Sequence, residues 1–525
     1  MRETQCECSF ALRTEVGGGA SAFGRGARRF DASVPKGGLM SLCDPALWSG
    51  KAWSGGWIAT EAGDAPVVEP ATGAEIGRLG VAGPKDIAAA CARAADSQRA
   101  WAETPYGERA AVLRRAADLF QAHSDEIVGW IMRESGAIRA KGEFEIAVAA
   151  SECYEAASLP SHPYGQLLRS AQPRLSFSRR LPAGVVGVIS PFNFPLILSI
   201  RSVAPALALG NAVVLKPDPR TGVCGGVVLA RIFEEAGLPT GALHVLVGGA
   251  DAGEALVSDP HTRVISFTGS TRAGRSVGEL AGRHLKRAHL ELGGNSALVV
   301  LDDADVDKAV SVGAFGSFFH QGQICMTTGR HLVQRDLFDT YVERLAAKAS
   351  ALPVGDPTSE QVALGPIIDE RQRDRIHSLV TDSVAQGARA VAGGTFEGLY
   401  YRPTVLADVT PEMPAFQEEV FGPVAPVLAF DSLEEAAALA ASTPYGLSLG
   451  ILTNNPMRAL ALADLVPSGA IHVNDQTVND EAQIPFGGVG DSGTGARFGG
   501  AEANIEAFTE TQWVTMRGEI APSPF

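Results

Sequence analysis

The sequence predicts an α/β protein built on a doubly wound parallel sheet. The first indication is Val185-Val186-Gly187-Val188-Ile189, a continuous apolar run of strand length. Similar runs follow it, separated by segments in which apolar residues recur every three or four positions, as in a helix. Strands that alternate with helices in this way form parallel sheets with helices on both faces. With 525 residues the chain is too long for one core, so two or more domains are expected.

The individual elements can be placed in order along the chain. Helical spacing runs from Pro84 to about Ala157, and Pro84-Lys85-Asp86 resembles a helix start. The alternating region predicts strands at 185–189, 212–215, 243–247, 264–267 and 289–292, with helices at 197–209, 222–236, 250–257 and 273–281 between them. Later elements are a helix-like run at 306–319, helices at 338–351, 369–386 and 433–442, strands near Ala390 and at 448–452, and a strand-like stretch at 506–516.

Composition and charge exclude several classes of function. The net charge is −15 and the basic residues are dispersed, which argues against nucleic acid or an anionic membrane as the main partner. No apolar run reaches transmembrane length, because prolines interrupt the stretch 185–200. Seven irregularly spaced cysteines fit a reducing cytoplasm better than a disulfide framework. Cys6 and Cys8 lack a second pair or a nearby histidine, and no HExxH occurs, so no metal site is predicted.

Residues 1–40 differ from the rest of the chain. They contain Gly17-Gly18-Gly19 and a basic cluster from Arg25 to Arg29, with no hydrophobic period. Disorder is one interpretation. A targeting segment is a second, although a continuous apolar core is missing and several acidic residues argue against a transit peptide. A third hypothesis is that translation starts at Met40, which N-terminal mass analysis of the native protein would settle.

The candidate nucleophile is Cys325, in the stretch from His320 to Thr328. A thiol reacts as its thiolate, so a reactive cysteine needs backbone donors, a nearby base or a helix N-terminus. Gly322 lets the backbone come close, and Thr327 and Thr328 could cap a following turn. The alternative is that Cys325 is a small buried hydrophobic residue, which is the more common role of a lone cysteine.

Parallel sheets bind ligands at the carboxyl ends of their strands, so the loops there are candidate sites. In Ser190-Pro191-Phe192-Asn193-Phe194-Pro195 two prolines stiffen the chain, and the Asn193 amide suits an oxyanion donor or a solvated turn. Lys216 suits a ribose or phosphate, or is a surface lysine. The turn Thr268-Gly269-Ser270 into a helix offers N–H groups to a phosphate. Glu291, before Gly293-Gly294, is either a general base or a carboxylate bonded to those amides.

One glycine-rich segment imitates two other motifs. Gly488-Val489-Gly490-Asp491-Ser492-Gly493 fits the G-x-G-x-x-G dinucleotide pattern, but no β-α-β unit follows it, so we reject that interpretation. The same segment resembles part of a serine protease site, for which no suitably placed His and Asp are evident.

Read together, these stretches resemble the aldehyde dehydrogenase superfamily over about residues 45–517, in the order and spacing of that family. The closest resemblance is to the branch that oxidises benzaldehyde and vanillin, because of Asn295 and residues 196–201. The motifs are Pro191-Phe192-Asn193, Lys216-Pro217, Phe267-Thr268-Gly269-Ser270, Glu291-Leu292-Gly293-Gly294, Gly322-Gln323-Ile324-Cys325, Glu419-Val420-Phe421-Gly422-Pro423 and Pro485-Phe486-Gly487-Gly488.

The resemblance implies a mechanism and its residues. Cys325 would attack the aldehyde carbonyl, Asn193 and the Cys325 N–H would hold the oxyanion, and Glu291 would activate the water that hydrolyses the thioester. Alternatives are the same chemistry on an aliphatic aldehyde or semialdehyde, and a non-catalytic structural protein of the same fold.

The resemblance also implies NAD as the cofactor. Lys216 would hold the adenosine ribose, Ser270 the pyrophosphate and Glu419 the nicotinamide ribose, with Phe421 beside it. Many NAD-preferring relatives carry Glu two residues after Lys-Pro, where this chain has Pro219, and Asp218 is one residue early. A carboxylate at the ribose repels the 2′-phosphate of NADP, and the absence of that glutamate weakens the discrimination. We therefore expect that NAD is preferred but that NADP is also used. The full set of cofactor residues that the resemblance implies is Ser190, Pro191, Phe192, Lys216, Gly269, Ser270, Leu292, Glu419 and Phe421.

Aromatic and aliphatic groups near the implied aldehyde tunnel suit an apolar ring. Arg201 is the exception: it could bind a ring hydroxyl or carboxylate, or point outward and pair with an acid, and we favour the outward orientation. The implied pocket residues are Phe192, Leu196, Arg201, Ile324, Met326 and Phe486.

The fold implied by the resemblance has three parts. Residues 41–160 and 182–293 would form the dinucleotide-binding domain, and 294–494 the catalytic α/β domain. Residues 161–181 and 495–525 would form a β oligomerisation arm, in which 174–180 lies beside the strand near 508–516. Exposed strand edges are normally paired, here with another subunit. The resemblance implies a homodimer or homotetramer, and the cysteine usage described above favours the cytoplasm.

Overall fold

The apolar runs identified in the sequence form the central strands of two sheets. The structure, a computed structural model, describes residues 41–523. The predictions for residues 1–40, including the start at Met40 and the Cys6–Cys8 pair, fall outside this range. The strands are β1 Lys51–Ser54, β2 Trp57–Ala59, β3 Asp64–Val68, β4 Glu75–Gly80, β5 Gly165–Leu167, β6 Leu175–Pro182, β7 Val185–Ile189, β8 Ala212–Lys216, β9 Leu243–Val245, β10 Thr262–Thr268, β11 Arg287–Glu291, β12 Ser296–Val300, β13 Thr328–Gln334, β14 Arg389–Ala392, β15 Phe396–Glu397, β16 Tyr400–Tyr401, β17 Thr404–Ala407, β18 Val424–Phe430, β19 Tyr445–Gly446, β20 Ser448–Leu452, β21 Ala470–Val473, β22 Val489–Gly490 and β23 Thr509–Met516.

The helical segments predicted from the three-to-four spacing are present, with ends shifted by a few residues. The α-helices are α1 Pro45–Trp48, α2 Pro84–Glu103, α3 Tyr106–Ala122, α4 Ser124–Ser135, α5 Arg139–Ser158, α6 Pro195–Ala208, α7 Val228–Glu235, α8 Ala250–Ser258, α9 Thr271–Arg283, α10 Val306–Phe318, α11 Arg335–Ala351, α12 Glu370–Ala385, α13 Pro414–Gln417, α14 Leu433–Ala441, α15 Pro456–Ala463 and α16 Ala501–Phe508. Short 3₁₀ turns lie at Leu159–Ser161, Pro219–Thr221 and Phe319–Gly322. The predicted helix 222–236 begins as a π-helix, Val223–Val227, before α7.

The first sheet has the order β11-β10-β7-β8-β9-β1-β2. Strands β7 to β11 are parallel, while β1 and β2 add an antiparallel edge. Alternate residues of β7 face opposite cores, because side chains alternate along a strand. Val185 and Ile189 pack with α2 and α8, whereas Val186 and Val188 pack with α6 and α7. The predicted doubly wound parallel sheet is therefore confirmed.

The second sheet repeats this design with residues from the later half of the chain. Its order is β14-β17-β18-β13-β12-β20-β21, and every neighbouring pair is parallel except β14 with β17. Apolar residues of α12 and α14 cover one face, and those of α10 and α11 cover the other. The domain limits given above stay a prediction.

A third sheet forms an exposed arm in which β6 pairs antiparallel with both β5 and β23. The predicted neighbourhood of residues 174–180 and the last strand is confirmed by this pairing. The prediction of strand throughout 506–516 was wrong at its start, because α16 extends to Phe508. Gly500, in the left-handed region at φ 68°, turns the chain into this helix, which buries Asn504, Ala507 and Phe508. Within residues 41–523, no helix has the length and apolarity needed to span a membrane.

Candidate active site

The strands of the first sheet end in register at one edge. Ile189 pairs with Lys216, Phe267 with Ile189, and Thr268 with Glu291. The loops that follow these strands carry Asn193, Lys216-Pro217, Gly269-Ser270 and Leu292. Because the parallel strands end at the same level, the candidate loops lie together at the edge where ligands of doubly wound folds bind.

The Cys325 loop is formed by an unusual backbone turn after α10. His320, Gln321 and Gly322 have φ values of 47°, 55° and 65°, all in the left-handed region. Gly322 is required here, since a Cβ would lie 2.1 Å from the carbonyl oxygen of Gly422. The Gln321 amide braces the turn by donating to the carbonyl oxygens of Gly136 and Pro366, both at 2.9 Å. The braced turn holds Cys325 half-buried at the surface of an apolar cluster.

Glu291 lies at the end of β11 next to this loop. Neither of its carboxylate oxygens has a hydrogen-bond partner among the described residues, although the side chain is buried. Desolvation raises the pKa of this carboxyl well above its usual value. Three residues later, a Cβ on Gly294 would lie 2.3 Å from the Cys325 carbonyl oxygen, so the two segments are in direct contact. A buried carboxyl with a raised pKa therefore lies beside the segment that carries the thiol.

Asn193 reaches the same place from the loop between β7 and α6. It is buried, and the ring of the following residue, Phe194, lies edge-on to the His320 imidazole at 5.4 Å between centroids. Phe194 also belongs to the apolar cluster that includes Ile324 and Met326, the two neighbours of Cys325. The structure thus brings together the three segments that carry Asn193, Glu291 and Cys325.

The electrostatics of the site favour a protonated thiol in the absence of other groups. Desolvation, together with the nearby carboxylates of Glu419 and Glu291, raises the pKa of Cys325 to about 12. Burial also raises the pKa of Glu419 to about 7. Formation of a thiolate therefore requires transfer of its proton to a base, for which these carboxyl groups are at hand.

The residues assigned to the cofactor are spread along the carboxyl edge. Lys216 ends β8 with a buried side chain, and desolvation lowers the pKa of its ammonium group. The Ser190 hydroxyl is bonded to that of Ser199 at 2.7 Å. Gly269 donates its N–H to the Glu291 carbonyl at 3.0 Å, and exposed Ser270 caps α9 by accepting from the Ala273 N–H.

The Glu419 segment faces this edge from the second half of the chain. Glu419 accepts the Gly294 N–H at 3.0 Å. Phe421, at a left-handed φ of 54°, lies edge-on to Phe192 with 5.8 Å between ring centroids. Pro191 is half-buried, whereas Leu292 is buried against Gly274 of α9. The segment before β18 of the second sheet thus contacts residues at the carboxyl edge of the first sheet.

An apolar cluster adjoins Cys325 and contains three of the predicted pocket residues. Its buried members are Val148, Phe194, Ile197, Ile324, Met326, Leu447 and Phe486, and Phe144, Leu198, Phe319, Cys325 and Val478 pack against it. Leu196, in contrast, is buried in the core beneath the first sheet, and Phe192 lies beside Phe421. The cluster is aromatic and aliphatic in composition, which suits contact with an apolar ring.

The favoured outward orientation of Arg201 was wrong, although its pairing with an acid was correct. Arg201 is only 4% exposed and forms ion pairs with Glu152 at 3.0 Å and Asp480 at 2.5 Å. Its guanidinium lies over the Phe486 ring, 5.2 Å from the centroid. A charged group can be buried here because two carboxylates on other segments reach it, and the sequence gives no sign of that arrangement.

Sequence reasoning missed several residues that contact the site. Arg220 stacks over Phe192 at 4.2 Å and pairs with Asp218 and Asp369. Lys141 and Glu145 form a fully buried ion pair below the Asn193 loop. The available signal was the four-residue spacing of Lys141 and Glu145, which is common in exposed helices. The G-x-G-x-x-G segment, by contrast, forms β22 and pairs with Glu291 through Gly493, without opening a helix.

Comparisons with known proteins agree with this geometry. The family described as "Aldehyde dehydrogenase family" matches residues 57–514. The chain is 68% identical to a vanillin dehydrogenase of Amycolatopsis sp., covering 93% of this chain and all of that protein. It is 50% identical to a benzaldehyde dehydrogenase [NAD(+)] of Pseudomonas putida, covering 91% and 98% of the two chains. A salicylaldehyde dehydrogenase of Pseudomonas putida G7, solved with salicylaldehyde, superimposes with a TM-score of 0.87 at 34% identity, over 90% of this chain and 99% of that one. The chain belongs to the aldehyde dehydrogenase family.

Proposed function

We propose that this protein oxidises an aromatic aldehyde to the carboxylic acid, with NAD as the hydride acceptor. The observation that carries the proposal is the meeting of the Asn193, Glu291 and Cys325 segments beside an aromatic and aliphatic cluster. The names of the vanillin and benzaldehyde dehydrogenases that this chain resembles support the aromatic substrate.

Each of the three residues has a distinct task in this proposal. Cys325 gives its proton to a neighbouring carboxylate, and its sulfur adds to the aldehyde carbon while the carbonyl electron pair moves to oxygen. The Asn193 amide and the Cys325 backbone N–H donate hydrogen bonds to that oxygen. When bound, NAD would accept the hydride that the former aldehyde carbon loses as the oxyanion re-forms its carbonyl, and the acyl group would remain on Cys325 as a thioester. Glu291 then removes a proton from water, the resulting hydroxide adds to the thioester, and the sulfur departs.

The residues along the carboxyl edge fit NAD. Lys216 presents a buried ammonium group, and Ser270 opens α9, which has thirteen residues. The absence of a side chain on Gly293 makes room for the Glu419 carboxyl group, because a Cβ at position 293 would lie 2.5 Å from Glu419 Oε2. We assign the adenosine ribose to Lys216, the pyrophosphate to Ser270 and the nicotinamide ribose to Glu419. The Asp218 carboxylate is engaged by Arg220, which supports use of NADP as well.

We assign the aldehyde to the cluster formed around Ile324, Met326 and Phe486. An apolar ring would replace water there, whereas a carboxylated chain would need a free cation. Arg201 is the charged group next to Phe486, and two carboxylates already engage it. The arrangement therefore favours benzaldehyde-like substrates over semialdehydes that carry a carboxylate.

A substrate panel tests the proposal. Benzaldehyde, vanillin, hexanal and succinic semialdehyde are each assayed with NAD and with NADP, and the values of kcat/KM are compared. We expect the aromatic aldehydes to give the highest values, and an NAD-to-NADP ratio that favours NAD by less than about a thousand. Best efficiency on succinic semialdehyde would refute the aromatic assignment. Unchanged NADH formation by Cys325→Ala would refute the assigned chemistry.

We further propose that the arm joins two or more copies of this chain in the cytoplasm. Several large apolar side chains of the arm are exposed, among them Leu167, Leu175, Trp513 and Met516. Such a surface on a β-sheet is normally covered by a partner. The five described cysteines are free thiols, which agrees with a reducing compartment. Light scattering of the purified protein, with Trp513→Ser as the variant, tests the assembly.

A further inference from the structure

Helix α5 carries a lysine and a glutamate that are completely hidden from solvent. Lys141 and Glu145 are one helical turn apart, both side chains are 0% exposed, and Lys141 Nζ donates to Glu145 Oε1. A buried ion pair is costly unless further hydrogen bonds satisfy the remaining donors and acceptors. The partners that satisfy this pair therefore indicate what it is for.

Those partners lie at both ends of one short segment, residues 193–197. The Lys141 ammonium donates to the Asn193 carbonyl oxygen at 2.7 Å. Glu145 Oε2 accepts the N–H groups of Leu196 at 3.0 Å and Ile197 at 3.3 Å. These are N–H groups of the first turn of α6, which have no partner within the helix. The pair thus holds the loop that precedes α6 and the start of α6 itself.

The Lys141 contact also bears on the direction of the Asn193 side chain. The carbonyl carbon and the Cβ that carries the side-chain amide are both bonded to the Asn193 Cα, so holding the carbonyl fixes the direction in which the side chain leaves the backbone. The ammonium lies 4.4 Å from the centroid of the Phe194 ring, which packs against Ile324 and Met326 beside Cys325. We propose that Lys141 and Glu145 are positioning residues that hold the Asn193 amide in place as oxyanion donor opposite Cys325. This inference rests on the proposed function.

Glu134 provides a matched control within the same part of the fold. It is also fully buried, and it accepts two consecutive N–H groups at the start of a helical segment, from Val223 at 2.9 Å and Cys224 at 2.6 Å. Its bonds go to the segment before α7, not to the Asn193 loop. A variant that lacks the Glu134 carboxylate therefore measures how much stability a buried helix cap contributes, while the proposed oxyanion donor keeps its own contacts.

The experiment is a cycle of variants with benzaldehyde and NAD. The double variant Lys141→Met with Glu145→Gln removes both charges and keeps similar volumes. We expect its kcat to fall about 10- to 100-fold with KM changed less than about threefold, because displacement of a catalytic group by about 1 Å has effects of this size. The same double change should lower the kcat of Asn193→Ala by less than about threefold, because coupled residues are non-additive. Cofactor binding, followed by quenching of protein fluorescence, should match wild type.

Other outcomes separate the inference from the function on which it rests. A double variant with wild-type kcat would overturn the inference while leaving the proposed function intact, as would full additivity with Asn193→Ala. Absence of turnover in the wild type would instead refute the proposed function. If the double variant does not fold, Lys141→Arg keeps the charge but displaces the donor, and it should lower kcat per folded active site, whereas Glu134→Gln should not. Glu134→Gln should lower the melting temperature and keep kcat per active site.

Discussion

Gly294 lies so close to the carbonyl oxygen of Cys325 that no side chain at position 294 would fit. A Cβ on Gly294 would lie 2.3 Å from the Cys325 carbonyl oxygen and 3.2 Å from the Leu447 side chain. The contact joins the strand end that carries Glu291 to the loop that carries the thiol. The segments that carry the proposed base and the proposed nucleophile are thus held together by a contact that only glycine allows.

The first prediction follows from this contact. Gly294→Ala should shift the Cys325 loop and lower kcat by about 100-fold or more, because small displacements at a reacting centre have large effects on rate. The matched control is Gly282→Ala in α9, where no atom lies within 4 Å of the added carbon. It should keep kcat and leave stability unchanged or raised by about 0.4–1 kcal/mol. Steady-state kinetics and thermal melting check both variants, and a fully active Gly294→Ala enzyme would contradict the geometry.

Glu291 should control hydrolysis of the thioester and its pH dependence. Burial raises the pKa of this carboxyl, so the proton-accepting form appears at higher pH than it would for an exposed glutamate. Wild-type turnover should therefore rise with pH and be lost as the pH falls through that raised pKa. Glu291→Gln should keep a first burst of NADH but lower steady turnover by about 100-fold or more. Rapid-mixing absorbance checks this, with exposed Glu279→Gln as control, and loss of the burst in Glu291→Gln would point to a role before hydride transfer.

Asp480 should influence which ring substituents are accepted. It shares Arg201 with Glu152, so Asp480→Asn leaves the guanidinium partly unpaired beside Phe486. We expect kcat/KM for 4-carboxybenzaldehyde to rise about tenfold relative to benzaldehyde, the size of one charge-assisted hydrogen bond. Asp475→Asn, at an exposed position of the same loop, is the control and should leave the ratio unchanged. An unchanged ratio in both variants would place Arg201 outside the substrate's reach.

Arg220 should decide how well NADP is used. It neutralises Asp218, two residues after Lys216, and stacks on Phe192. Removing it in Arg220→Ala leaves the carboxylate unpaired where a 2′-phosphate would approach, so the ratio of kcat/KM for NAD to that for NADP should increase about tenfold, as one uncompensated charge contact implies. Arg283→Ala, which breaks an exposed pair with Glu279, is the control. Equal loss with both cofactors would assign Arg220 to structure alone.

The sequence predicted those features that depend on neighbouring residues. The β7 strand is an uninterrupted apolar run, and such a strand can be recognised in the sequence without knowing which strand pairs with it. The prediction failed where distant segments decide the outcome. Arg201 is buried because Glu152 and Asp480, 49 and 279 residues away, both reach it. Phe508 ends a helix although its neighbours are typical of strands, since packing against the core overrides propensity.

The same reasoning explains why the supporting residues of the site were missed. Lys141 and Glu145 have the spacing of an ordinary exposed salt bridge, and only the fold shows that α6 covers them. The resemblance to a family names residues that touch the reacting atoms. It does not name the residues, such as Lys141 and Glu145, that hold the catalytic segments in position.

The left-handed turn at residues 320–322 has a consequence for how the enzyme matures. Its shape depends on the carbonyls of Gly136 and Pro366, which lie 185 and 45 positions from Gln321 and belong to separate regions of the chain. A partly synthesised or partly folded polypeptide cannot supply both anchors, so the turn that presents Cys325 forms only after the segments around residues 136 and 366 are both in place. Formation of the nucleophile loop is thus a late event of folding, because it waits for contacts between residues that are far apart in the chain.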